Sequence, residues 1–179
     1  MTRETGELKI LVTGTVGAGK TTAIAAVSDI APLNTDVRNS DTSVAKALTT
    51  VGMDYGELAL DGGEVLRIYG TPGQERYDFM WKILVRGALG LVILIDNSRP
   101  DPLADLETYL KGFSDFIASS ACVVGVGRME THPAPHIDRF AERLDQWGAR
   151  CPVVALDVRQ RSEVVQLLEL LLVQMETDG

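Results

Sequence analysis

Gly14-Thr15-Val16-Gly17-Ala18-Gly19-Lys20-Thr21 follows the pattern G-x-x-x-x-G-K-[ST], and that pattern has a definite chemistry. Its glycines let successive backbone N–H groups turn inward around phosphate oxygens, and a helix starting just behind them adds the positive end of its dipole. Lys20 would reach the β- and γ-phosphates of a nucleotide, serving binding and catalysis, and the Thr21 hydroxyl would ligate Mg²⁺. Val16, Gly17, Ala18, Gly19, Lys20, Thr21 and Thr22 are the candidate phosphate-binding residues.

A phosphate loop alone does not separate a kinase from a motor or a switch. The later stretch Gly70-Thr71-Pro72-Gly73-Gln74-Glu75-Arg76 narrows the choice. A glycine placed like Gly73 can offer its N–H to a γ-phosphate, and the adjacent Gln74 can orient an attacking water. Between the two motifs, Pro32 to Thr50 is long and polar, and such a stretch in a compact domain is usually a functional loop. Ordering of two loops by the γ-phosphate is how nucleotide-gated proteins switch.

These loops need strands that end where they begin. Short β-branched runs alternate with amphipathic segments, the pattern of a parallel α/β sheet. Leu8–Val12, Leu89–Ile95, Ala121–Val126 and Pro152–Leu156 read as buried strands. Thr22–Ile30 reads as the helix behind the phosphate loop. Asp101-Pro102 caps and opens a helix to about Ala118, Pro135 opens another that Gly148 closes, and Ser162 caps a last one with the face Val165, Leu168, Leu172, Met175. Met53–Leu60 and Glu64–Tyr69, joined by Asp61-Gly62-Gly63, form an antiparallel hairpin. No repeat, linker or low-complexity tract divides residues 1–179, so one domain is expected.

The 179 residues are 45% hydrophobic and 23% charged, which excludes a disordered or fibrous chain. The net charge of −8 argues against nucleic acid as a partner, because the mean field repels phosphate. Phosphate must then be gripped by a local device, which the glycine-rich loop supplies. Cys122 and Cys151 are too few for a disulfide framework and read as buried free thiols of a reducing compartment. No secretory leader, spanning segment, myristoylation glycine or prenylation cysteine is seen, so a cytoplasmic protein with no membrane anchor is expected.

From Leu8 to Met175 the sequence resembles the Ras-like small GTPases. TPGQE looks like their second switch, and TTVGMD resembles the first switch of Arf-type members, which puts a Mg²⁺-binding threonine at Thr50. The form with Pro72 is most similar to bacterial MglA-type GTPases, and the stretch Thr71–Leu106 to actinobacterial GTP-binding proteins encoded beside roadblock-domain partners. The resemblance implies a P-loop NTPase fold, a mostly parallel six-stranded sheet with one antiparallel edge strand and helices on both faces. It also implies GTP or GDP with Mg²⁺, slow hydrolysis, and protein effectors or regulators, a roadblock-domain protein among them.

Four departures qualify the likeness. Gly70 stands where the family carries an aspartate that holds a Mg²⁺-bound water. The guanine-reading N-K-x-D box aligns with Gly127-Arg128-Met129-Glu130: Glu130 can accept from a guanine edge and Arg128 can stack on the base, but Gly127 has no amide. The late S-A-K turn aligns with Asp157-Val158-Arg159, where the Val158 N–H could meet a base oxygen. Val16 replaces a glycine common in that family, and its side chain is expected to obstruct an arginine supplied in trans. A P-loop ATPase with a degraded base box, and a catalytically weak interaction module that holds nucleotide, are the competing readings.

The hairpin suggests a substitute for the missing aspartate. A three-residue loop pairs residues whose numbers sum to 124, which sets Asp54 opposite Gly70, and directly opposed residues share a face of the sheet. Asp54 is thus expected either beside the metal with Thr21 and Thr50, holding a metal-bound water in place of the missing aspartate, or as a solvated carboxylate at the strand end. Trp81 and Trp147 read as helix anchors, the remaining aromatics as core, and Asp96 and Asn97 as the ligand-side end of the central strand or a turn. His132 and His136 have no metal-ligand spacing around them, and Arg76 reads as a solvated or partner-facing group.

Overall fold

The computed structural model describes residues 8–31, 53–72 and 78–177. Thr50, Gly73, Gln74 and Arg76 lie outside these residues. Six strands, β1 Leu8–Gly14, β2 Asp54–Ala59, β3 Val65–Gly70, β4 Gly90–Asp96, β5 Ala121–Gly127 and β6 Val153–Ala155, form one sheet in the order β2-β3-β1-β4-β5-β6. Among the described strands only β2 and β3 pair antiparallel. Six described helices cover the sheet: α1 Lys20–Val27, α2 Asp78–Leu84, α3 Pro102–Gly112, α4 Ser114–Ser119, α5 Ile137–Gln146 and α6 Arg161–Thr177.

Both faces are apolar because successive side chains of a strand point to opposite sides. Val92 and Leu94 of β4 pack with Ile10 and Val12 under α1 and α6, while Leu91, Ile93 and Ile95 pack with Leu11 under α2, α3 and α5. All seven residues of β4 are buried, as expected of a strand covered on both faces. The first strand and the phosphate loop therefore emerge from the middle of a rigid sheet.

Helix ends differ from the sequence expectation where distant contacts intervene. The first helix stops at Val27 because Ser28 and Asp29 turn to the edge of β2: Ser28 Oγ accepts the Glu57 N–H at 3.1 Å, the Asp29 N–H donates to Glu57 O at 2.6 Å, and Asp29 Oδ2 accepts the Ala59 N–H at 2.7 Å. The helix after Asp101 breaks at Phe113, which leaves helical geometry to stack on Trp81 with ring centroids 5.1 Å apart. The α5 helix starts at Ile137, capped by His136 rather than opened at Pro135, and residue 148 follows its end with φ 69°. Ser162 does not cap α6, which already begins at Arg161, and the buried stripe is Val164, Leu167, Leu168 and Leu171. Phe79 is 54% exposed, against its reading as core, and Trp147 is 43% exposed while Trp81 is 2% exposed. Cys122 is buried and Cys151 only partly so; both are free thiols.

Candidate nucleotide site

Residues 14–19 connect the C-terminal end of β1 to the start of α1. Gly17 and Gly19 have φ values of 83° and 98°, a left-handed backbone that glycine adopts at no steric cost. A Cβ at Gly19 would also come within 2.7 Å of Val158 Cγ2, so the late turn packs directly against the phosphate loop. Among the described residues no side chain caps α1, and its first turn holds no acidic residue; a helix N-terminus of this kind favours an anion. Lys20 Nζ donates to the carbonyls of Gly14 at 2.6 Å and Thr15 at 2.9 Å, holding its stem across the loop. Val16 and Thr22 are exposed and Ala18 is buried.

The hairpin register is the expected one: Asp54 pairs with Gly70, Leu58 with Leu66, and Leu60 N–H closes the loop on Glu64 O at 2.8 Å. The Thr21 hydroxyl donates to Asp54 Oδ2 at 2.7 Å. A Cβ at Gly70 would lie 3.2 Å from Asp54 Cβ and 3.5 Å from its Oδ2, so the carboxylate borders the volume a residue-70 side chain would need. Two hard oxygen donors from different elements, Thr21 exposed and Asp54 only partly buried, suit Mg²⁺, which rarely uses an all-protein cage. The residues present fit that ion.

Burial lowers the Lys20 ammonium to about 8, a shift that the Asp54 charge opposes. A bound polyphosphate favours the cation, so binding must raise this value. Below the free-site value the lysine is already charged; above it, binding takes up a proton and affinity falls as pH rises. Calorimetry of nucleotide binding at pH 9 in metal-free buffers of different ionisation enthalpy should show close to one proton taken up, against almost none at pH 6.5. Equal uptake at both pH values would remove Lys20 from the phosphate contact.

Beyond Gly70 the chain is held by two contacts the sequence did not announce. Thr71 donates its hydroxyl to Thr13 at 2.6 Å, both being buried, and the Trp81 indole N–H donates to Pro72 O at 3.0 Å. A polar pair inside a sheet and an indole needing a partner are the available signals. They fix the root of the segment that carries Gly73 and Gln74.

The other candidate loops leave the adjacent parallel strands β5 and β6 at the same edge of the sheet as the phosphate loop. Arg128 follows β5 and pairs with Asp96 at the end of β4. Arg159 forks onto the Asp157 carboxylate through bonds of 2.9 and 2.8 Å, which depresses Asp157 to about 2. The Asp157 bond raises the Arg159 guanidinium, with a smaller contribution from the Glu130 charge. His132 Nδ1 contacts Thr131 Oγ1 and His136 accepts from the Asp138 N–H.

No family model matches the chain. It is 27% identical over 167 residues to the Ras-related protein RABE1e of Arabidopsis thaliana, covering 89% of this chain and 72% of that protein. It is 31% identical over 106 residues to the Ras-related protein Rab-18-B of Danio rerio, covering 58% of this chain and 46% of the relative. The Ras-related protein Rab-3 of Caenorhabditis elegans is 25% identical over 146 residues, 78% of this chain and 62% of its own. The chain thus spans about half to three quarters of the length of these relatives. No helix among the described residues is long and apolar enough to cross a membrane. The mixed six-stranded sheet with its single antiparallel edge pair and covered faces is the Ras-like P-loop GTPase fold.

Proposed function

We propose that the protein is a small GTP-binding switch that holds GTP or GDP with Mg²⁺, hydrolyses GTP slowly and signals to protein effectors. The observation that carries this reading is the junction of Lys20, Thr21 and Asp54, where a cation and a hydroxyl from the start of α1 converge with a carboxylate from β2. Similarity to Ras-related proteins supports guanine over other bases. The Pro72-Gly73-Gln74 form of the second motif favours an MglA-type member, for which a roadblock-domain protein is the partner class to test.

In this proposal the backbone N–H groups of residues 16–21 and Lys20 Nζ hold the phosphates. Thr21 and Thr50 would ligate the metal, with Asp54 replacing from β2 the carboxylate that Gly70 lacks. Mg²⁺, when bound, would draw charge from the β- and γ-phosphates. Gly73 would sense the γ-phosphate, and Gln74 would orient the attacking water. Glu130 would read the base edge, Arg128 would flank the ring, and Val158 and Arg159 would close the base end.

Gln74→Leu should slow single-turnover GTP hydrolysis at least tenfold with binding unchanged, because its amide orients water and grips nothing. A wild-type rate would assign the water to another group. Identity of the ligand is tested by denaturing protein purified in Mg²⁺ and separating the released nucleotide by chromatography. Guanine nucleotide is expected. Adenine nucleotide would favour the ATPase reading, which the missing amide at Gly127 keeps open.

A further inference from the structure

We propose that Asp96 is a positioning residue for the nucleobase: from the end of β4 it fixes Arg128 as a platform for a purine ring, at a place where its register partner Gly127 has no side chain to do so. The inference rests on the nucleotide-binding reading above and concerns its base end.

Asp96 and Gly127 are register partners at the ends of the parallel strands β4 and β5, so their side-chain positions fall on the same face of the sheet. Sterics do not force glycine at 127: a Cβ there would meet nothing closer than the Ile95 and Leu156 carbonyl oxygens, at 3.7 and 3.9 Å. A carboxylate only 6% exposed persists when its lone pairs are answered. Oδ1 accepts the Ser98 N–H at 2.9 Å and the Ser98 hydroxyl at 2.6 Å, and Oδ2 takes the Arg128 guanidinium. The two Ser98 bonds alone would make an ordinary turn after β4. The bond to Arg128 is additional, and it ties the end of one strand to the loop after the next.

The backbone of Arg128 is itself unusual, and the bonds from Asn97 N–H to Gly127 O and from His132 N–H to Arg128 O hold it. Arg128 is the one non-glycine residue with positive φ among the described residues, at 62°, a conformation side chains resist and surroundings must hold in place. Its guanidinium is buried at one end against Asp96, yet the side chain is 54% exposed. One nitrogen is thus held by Asp96 while more than half of the side chain stays open to solvent and to a ligand. A planar cation held at one corner is preorganised to stack on an aromatic ring, which a freely rotating lysine is not. Arg159 is engaged by Asp157, so each cation of this neighbourhood has its own carboxylate. Glu130 is left with no side-chain hydrogen bond or ion pair among the described residues.

The same device recurs at both degraded positions. Gly70 has Asp54 as its cross-strand partner, and Gly127 has Asp96. Each glycine stands where the resembled family carries a functional side chain, and each is faced by an aspartate from the adjacent strand that bonds a neighbouring site residue, Thr21 in one case and Arg128 in the other.

The test compares GDP with inorganic tripolyphosphate, which has phosphates and no base, on wild type, Asp96→Asn, Arg128→Ala and the double variant. Each single variant should bind GDP about tenfold more weakly, as expected for loss of a charge-assisted contact, and bind tripolyphosphate within about twofold of wild type. The double variant should be no weaker than either single one, and Arg128→Lys should recover only part of the loss. Equal weakening of both ligands by Asp96→Asn, or additive losses in the double variant, would overturn the proposal by making Asp96 a merely structural residue. If Asp96→Asn does not fold, the exposed Arg128→Ala decides, and wild-type GDP affinity there overturns the proposal. Wild-type protein that binds tripolyphosphate but neither GDP nor ADP would overturn the nucleotide reading along with it, a result distinct from the others.

Discussion

Lys20→Ala is expected to lose nucleotide affinity by about 10²–10³-fold, the usual cost of removing one partner of a desolvated charge pair, while its melting temperature changes little. The ammonium is held by two loop carbonyls and lies low in its range because burial disfavours it. The free protein therefore gains little from that charge; the phosphates gain much. Removing the side chain forfeits two hydrogen bonds worth about 1 kcal/mol each to a site open on one side, well short of unfolding. Fluorescent-nucleotide titration and a thermal melt check both halves. Micromolar binding by the folded variant would show that the loop grips phosphate without its lysine.

Asp54→Ala should remove most of the Mg²⁺ dependence of nucleotide retention, with a cost of about 10–100-fold in apparent metal affinity, typical of outer carboxylates at a metal site. The measurement is the GDP dissociation rate across a Mg²⁺ titration. Asp61→Ala, in the exposed hairpin loop, is the control and should follow wild type. Moving the carboxylate to the other strand is a sharper check. Gly70→Asp alone crowds Asp54, whose Cβ lies 3.2 Å from the new Cβ, and sets two negative charges together. Asp54→Gly combined with Gly70→Asp removes the charge conflict and the Asp54 contact, leaves only the flexible end of Ile24, 3.1 Å from the new Cβ, to give way, and should restore Mg²⁺ dependence. Coincident titration curves for Asp54→Ala and Asp61→Ala would end the substitution argument.

The sheet could be read from sequence because its signals are local. Alternation and β-branched runs marked the strands, and the three-residue loop Asp61-Gly62-Gly63 set the parity of the hairpin, so the Asp54–Gly70 pairing followed by counting. What escaped is what depends on distant partners. The end of α1 is set by the edge of β2, about 30 residues away, and no helix-stop signal encodes that. The face of α6 was displaced by a residue or so because its stripe is nearly apolar all round, leaving packing against α1 and β5 to choose among the leucines. Asp96 offered two readings, turn or ligand edge; its pairing with Arg128, 32 residues later, is visible only when β4 and β5 lie side by side.

The central claim is that this site reads a guanine nucleotide, and a competition titration on nucleotide-free protein addresses it most directly. Labelled GDP is displaced by unlabelled GDP or ADP in Mg²⁺, for wild type and for Glu130→Ala. The wild type should prefer GDP by at least tenfold, because a carboxylate facing the base edge accepts hydrogen bonds that guanine offers and adenine does not. Glu130→Ala should lose that preference while keeping most of its affinity, since the phosphates supply the larger part of binding. Equal affinity of the wild type for GDP and ADP, or a preference that survives Glu130→Ala unchanged, would contradict the account.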